Sequence, residues 1–176
     1  NLSTPGINMT LAGTGTIGGQ FVGSQNCTVT VPASNGTILV GGKLSVTANT
    51  LTLVVGAGST VHFNSGTATN IAGTLTLQGA GTVIIEAALD GAGTVDWGVG
   101  ETTTLKLRSS VGVTTFTPGT SGTVVFDGTG DQTVPAKTYG NLTLAGGGTK
   151  SLAAGTTTVN TACTVSSKVA LKDSIK

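Results

Sequence analysis

Apolar residues in this chain come in short runs that alternate with threonine, serine or asparagine. Examples are Cys27-Thr-Val-Thr-Val, Thr50-Leu-Thr-Leu-Val-Val, Thr74-Leu-Thr-Leu and Asn141-Leu-Thr-Leu. A period of two with β-branched residues predicts strands that bury one face and expose the other. Glycine clusters such as Gly56-Ala-Gly, Gly79-Ala-Gly and Gly146-Gly-Gly separate the runs and supply the positive φ that tight turns need. The one stretch rich in helix formers, residues 84–90, spans about two turns, too short to hold as a helix by itself. An all-β chain is expected.

Spacing between similar segments narrows the architecture. Ser59-Thr-Val-His-Phe resembles Gly122-Thr-Val-Val-Phe, with Thr60 and Thr123 lying 63 residues apart, or three units of 21. Thr74-Leu-Thr-Leu-Gln-Gly-Ala-Gly-Thr likewise resembles Asn141-Leu-Thr-Leu-Ala-Gly-Gly-Gly-Thr at a spacing of 67. A unit of that size holding two or three strands fits one coil of a parallel β-helix, which buries its apolar face only by stacking on the next coil. Roughly eight coils of about 21 residues would make a rod of about 40 Å. With aromatic residues at only 3%, the interior is expected to be stacked Val, Ile, Leu and Ala. The alternative is a β-sandwich pilin-like subunit, with residues 1–17 as a donated strand. Residues 1–165 are read as a single solenoid domain. Residues 166–176, where glycine disappears and lysines gather, are read as a divergent cap, linker or partner-binding tail.

Composition excludes several classes. A mean hydropathy of +0.31 with 9% charged residues opposes disorder, which combines low hydrophobicity with high net charge. No stretch offers the ~20 consecutive apolar residues of a spanning helix. A net charge of +1 from scattered residues leaves no basic stripe for nucleic acid. The first residue is Asn1, with no initiator methionine or basic-then-apolar leader ahead of it, which reads as a processed chain or an excerpt.

The stretch from Gly122-Thr-Val-Val-Phe-Asp-Gly-Thr-Gly-Asp through Asn141-Leu-Thr-Leu to Leu152 resembles repeats of large secreted and surface-anchored bacterial proteins of adhesin type. The resemblance covers under a third of the chain and implies an exported, repeat-built, extracellular or cell-surface protein. From Thr161-Ala-Cys-Thr-Val onward the sequence departs from the next glycine-rich coil that such an array would bring.

Few residues suggest chemistry. Gly13-Thr-Gly-Thr-Ile-Gly matches a dinucleotide fingerprint in letters, but the next residues, Gly19-Gln-Phe-Val-Gly, are strand-like, and the motif works only where it opens a helix. Asp127-Gly-Thr-Gly-Asp131 resembles a calcium-binding turn of β-roll repeats, although two Asp capping a tight turn explain it as well. Asp90, Asp96 and Glu101 would make a carbohydrate-active β-helix enzyme if they met on one face. His62 lies in an alternating run with no metal partner at a recognised spacing and reads as an outward strand residue. Cys27 and Cys163 are more than six coils apart in a rod, beyond the roughly 7 Å a disulfide allows. They are candidates for an intermolecular disulfide or for unpaired thiols. Asn-x-Ser/Thr triplets at Asn1, Asn8, Asn26, Asn35 and Asn141 are candidate glycosylation acceptors. Thr-x-Thr pairs at Thr14/Thr16, Thr28/Thr30, Thr50/Thr52, Thr74/Thr76 and Thr102/Thr104 recur at irregular gaps; regular ranks of such pairs order water in ice-binding solenoids.

The functional expectation is an extracellular structural or adhesive surface protein, self-associating end to end as a filament subunit, with surface glycans as further partners. No catalytic residues, cofactor or metal beyond the calcium candidate are assigned, and the chain is not read as an enzyme. An ice-binding or glycan-binding module and a carbohydrate-active enzyme are the alternatives. A regular threonine lattice would mark the first, an acidic groove the second.

Overall fold

A computed structural model describes residues 6–117, 119–166 and, by backbone alone, 170–172. Among them there is no helix, and every strand pair is parallel. The chain winds as a β-solenoid of about seven turns, with about 22 residues from one turn to the next. This is the expected parallel β-helix, with slightly fewer and slightly longer coils. Parallel pairing throughout overturns the pilin-like sandwich, and residues 7–10 and 15–17 belong to the stack itself.

The strands stack on three main faces, with a fourth, smaller sheet in the later coils. The six-stranded face stacks β1 (Ile7–Thr10), β4 (Cys27–Val31), β7 (Thr50–Val55), β10 (Thr74–Gly79), β13 (Thr94–Trp97) and β15 (Thr115–Thr117). The eight-stranded face stacks β2 (Gly15–Ile17), β5 (Gly36–Val40), β8 (Ser59–Phe63), β11 (Thr82–Ile85), β14 (Thr104–Leu107), β16 (Thr123–Phe126), β18 (Thr138–Leu144) and β20 (Thr158–Val165). A four-stranded sheet of β3 (Phe21–Gly23), β6 (Leu44–Val46), β9 (Thr69–Ile71) and β12 (Leu89–Asp90) forms the third face. A three-stranded sheet of β17 (Gln132–Val134), β19 (Thr149–Leu152) and β21 (Ala170–Lys172) lies in the later coils.

Alternation decides which side chains go in. Along β7 and β10 the odd residues Leu51, Leu53, Leu75 and Leu77 are buried, and register sets Leu75 on Leu51 and Leu77 on Leu53. Like residues therefore stack on like residues, and apolar area leaves water at each added coil. Residues 84–90, the helix-forming stretch, are strand β11, a corner and strand β12.

Corners and strand ends account for most of the glycines. Gly79 has φ +91°, and a Cβ there would lie 2.2 Å from the Val55 carbonyl oxygen of the coil below. Only glycine tolerates both the left-handed backbone and that approach. At other corners an asparagine links coils: Asn26 Oδ1 accepts from Thr50 N–H at 2.9 Å, and Asn35 Nδ2 donates to Gly13 O at 2.8 Å.

The repeat reading is correct in one half and misplaced in the other. Thr60, Thr82, Thr104 and Thr123 are register partners on four successive strands, so the 63-residue spacing is three coils. Thr74 and Asn141, however, lie on different faces. A strand followed by a glycine turn recurs at more than one corner of the coil, and letters alone do not distinguish the corners. The change in composition near Thr161 does not end the array either. β20 stacks on β18, with a register shift between Tyr139 and Asn141. The tail at 166–176 is partly in the stack: Ser166 N–H donates to Leu144 O at 2.8 Å, and Ala170–Lys172 pairs with β19. The rest of that tail, 167–169 and 173–176, lies outside the described residues.

Candidate functional site

Outward positions are set by the same register as the core. On the six-stranded face Thr50, Thr74, Thr94 and Thr115 form one rank, and Thr28, Thr52, Thr76, Asp96 and Thr117 the next. Burial raises the Asp96 carboxyl above the usual aspartate range. On the eight-stranded face Thr37, Thr60, Thr82, Thr104 and Thr123 make a rank of five, continued by Asn141. Beside it run Thr16, Leu39, His62, Ile84, Lys106, Val125, Thr143 and Thr164. The irregular gaps between Thr-x-Thr pairs came from mixing faces: Thr16 and Thr104 belong to the eight-stranded face, and Thr28/Thr30, Thr50/Thr52 and Thr74/Thr76 to the six-stranded one. The pair Thr115/Thr117, which completes the ranks, went unread, although the same alternation would have found it.

A line of charge crosses the coils at one edge of the eight-stranded face. His62 Nε2 lies 2.6 Å from Glu86 Oε1, Arg108 bonds the same oxygen, and Arg108 Nε stands 3.5 Å from Asp127 Oδ1. His62 is half-buried against its carboxylate partner rather than free on the surface. Next to Glu86 lies a shallow groove of about 480 Å³ walled by Asn64, Ser65 and Ser109 among small residues. An amide, two hydroxyls and a carboxylate can bond the hydroxyls of a polar ligand.

The candidate calcium turn holds a cation of its own. Lys150 is fully buried, and its Nζ donates to the carbonyls of Gly147 at 2.7 Å, Gly128 at 2.8 Å and Gly130 at 3.0 Å. Burial lowers its pKa, an effect that the charges of Asp127 and Asp131 only partly offset. The ammonium thus occupies the ring of carbonyls. Asp131 Oδ1 meanwhile accepts from Thr149 N–H at 2.7 Å, the turn-capping role. Gln132, also buried, donates to Leu107 O and Ser109 O at 3.0 Å and accepts from Gly128 N–H at 2.9 Å. No periodicity in the sequence marks a lysine at an inward position.

The other candidates are dispersed. Asp90 lies on the four-stranded face and Asp96 on the six-stranded face. Glu101 lies in the corner after β13, bonded to Gly79 N–H. The structure does not bring the three together. Cys27 is buried between Ile7 and Leu51, where burial raises its thiol pKa; Cys163 is exposed on β20. Both are free thiols, and a disulfide to another chain through Cys27 would require opening its coil. Asn8 and Asn26 are exposed. Asn35 and Asn141 have their amide nitrogens bonded to Gly13 O and Ser121 O, bonds a glycan would displace. Asn1 lies outside the described residues. The Gly13–Gly18 motif runs into strand β2 and opens no helix.

Among the described residues no group of three or more His, Cys, Asp or Glu side chains could hold a metal, and no helix is long and apolar enough to cross a membrane. The fold defines the class, a parallel β-solenoid with threonine-ranked faces. No protein-family model, curated protein or solved structure matches the chain.

Proposed function

We propose that the chain is a structural and adhesive module of an extracellular, cell-surface repeat protein. The observation that carries this reading is unbroken coil-on-coil pairing, which runs through eight successive strands of one face. Continuous pairing makes a stiff body of about 34 Å at ~4.8 Å per coil, suited to holding a contact surface away from its support. The likeness of residues 122–152 to adhesin-type repeats points the same way. Two further features suit contact with partners. β20 is the outermost strand of its face and carries exposed Cys163 and a Val165 that is 45% exposed, an edge fit for end-to-end pairing with a second copy. The groove beside Glu86 suits the hydroxyls of a surface glycan.

Negative-stain electron microscopy of the purified chain, with and without reductant, tests the assembly. Rods several times longer than one solenoid are expected, and breakage under reductant at every second joint would assign those joints to a Cys163–Cys163 disulfide. Separate short particles at every concentration would overturn self-assembly.

A further inference from the structure

We propose that the six-stranded face binds ice through a two-dimensional array of threonines. The array has two ranks: Thr50, Thr74, Thr94 and Thr115 in one, and Thr52, Thr76, Asp96 and Thr117 in the other. Seven of these eight outward positions are threonine, spaced about 4.8 Å from coil to coil and about 6.6 Å along each strand.

The preference for solid over liquid water follows from rigidity. Each β-branched side chain has few χ1 choices, and its strand is fixed by pairing on neighbouring coils, so hydroxyls and methyls keep a constant spacing. A hydroxyl both donates and accepts. Holding a liquid water in place costs immobilisation entropy, whereas water in ice is already immobilised. A fixed hydroxyl array therefore gains more from the solid surface than from the liquid. Asp96 is the one charged group in the array. A crystalline polysaccharide is the competing solid, but the flat face of a sugar crystal offers C–H groups as well as hydroxyls, and with all six rings of this chain buried the array has no aromatic surface to pack against them.

The eight-stranded face supplies the internal control. Its threonine rank is longer by one, yet the neighbouring rank carries Leu39, His62, Ile84, Lys106 and Val125, whose unequal sizes destroy the second dimension. The inference does not rest on the adhesive reading, and failure of either leaves the other standing.

The test measures thermal hysteresis and uptake into a growing ice hemisphere for the purified chain and three variants, each first confirmed folded by circular dichroism. The native chain is expected to show both activities, Thr76→Tyr to lose them, Thr82→Tyr on the eight-stranded face to keep them, and Asp96→Thr to exceed the native chain. Absence of both activities in the native chain would overturn the proposal, as would equal loss in the two tyrosine variants. So would retention on microcrystalline cellulose with no uptake into ice.

Discussion

The interior differs between the earlier and later coils. In the earlier coils β4, β7 and β10 present Val29, Leu53 and Leu77 inward, each on its counterpart below. The earlier coils hold one ring pair, Phe21 and Phe63 at 5.9 Å, whereas the later coils hold a chain of four rings: Trp97 and Phe116 with centroids 6.1 Å apart, Phe116 and Tyr139 at 6.1 Å, Tyr139 and Phe126 at 6.4 Å. The large buried polar side chains Gln132 and Lys150 belong to these coils too, whereas among the described residues the earlier coils bury only the small hydroxyls of Ser45, Ser59 and Thr69. An aliphatic ladder needs only alternation, because any branched residue can sit on another. Rings and buried polar groups need particular neighbours: Tyr139 O–H donates to Pro135 O at 2.9 Å, and Trp97 Nε1–H to Thr103 O at 2.9 Å. The later coils are therefore the less replaceable part of the core.

The sharpest way to break this contrast is to truncate one residue in each region. Tyr139→Ala is expected to cost about 3–5 kcal/mol, because a ring contacting two others leaves a large cavity. Leu75→Ala is expected at about 2–4 kcal/mol, since small neighbours close in more easily. Urea unfolding of both variants measures the difference, and a larger loss at Leu75 would reverse the comparison.

Next in size is Lys150→Met, which keeps the stem and removes the ammonium from three buried carbonyls. A loss of about 3 kcal/mol is expected, read from the same unfolding curves. Excess calcium should leave the melting temperature of the native chain unchanged, because the ammonium holds the carbonyl ring. A calcium-dependent rise in the native chain would show that the turn takes metal after all. Tyr139→Phe removes only the hydroxyl and should cost about 1 kcal/mol.

The smallest effect concerns Asp96, which points outward from the strand that carries Trp97. Its pKa is raised in the folded state, so between the unfolded value of 3.8 and the folded value the native protein binds more protons than the unfolded chain. Stability is accordingly lost as pH rises through that window. Asp96→Asn should melt slightly above the native chain at neutral pH, and the advantage should vanish below pH 3.8. An advantage independent of pH would assign it to something other than ionisation.

The same contrast explains how much could be read from the sequence. Alternation in Thr50–Val55 and Thr74–Gly79 carries strand, inward face and coil stacking together, and the spacing of Thr60 and Thr123 carries the number of coils between them. What alternation cannot carry is which corner comes after which strand, so the likeness of Thr74–Thr82 to Asn141–Thr149 suggested a common face that the chain does not build. The threonine array was half legible: its pairs were visible, but their alignment depends on coil lengths that vary from corner to corner. Lys150 and the His62–Glu86–Arg108–Asp127 line were not legible, because their partners lie on other coils, and only the register brings them within bonding distance.

Register is thus the claim on which the core, the ranks and the array all depend. In a Cys163→Ser background, the pair Thr52→Cys and Thr76→Cys places two thiols on adjacent coils at about 4.8 Å, within reach of a disulfide, whereas Thr52→Cys with Thr104→Cys places them on different faces. Mass spectrometry of the oxidised proteins is predicted to find an intrachain disulfide in the first variant and free thiols in the second. Free thiols in the first, or a disulfide in the second, would contradict the stacking.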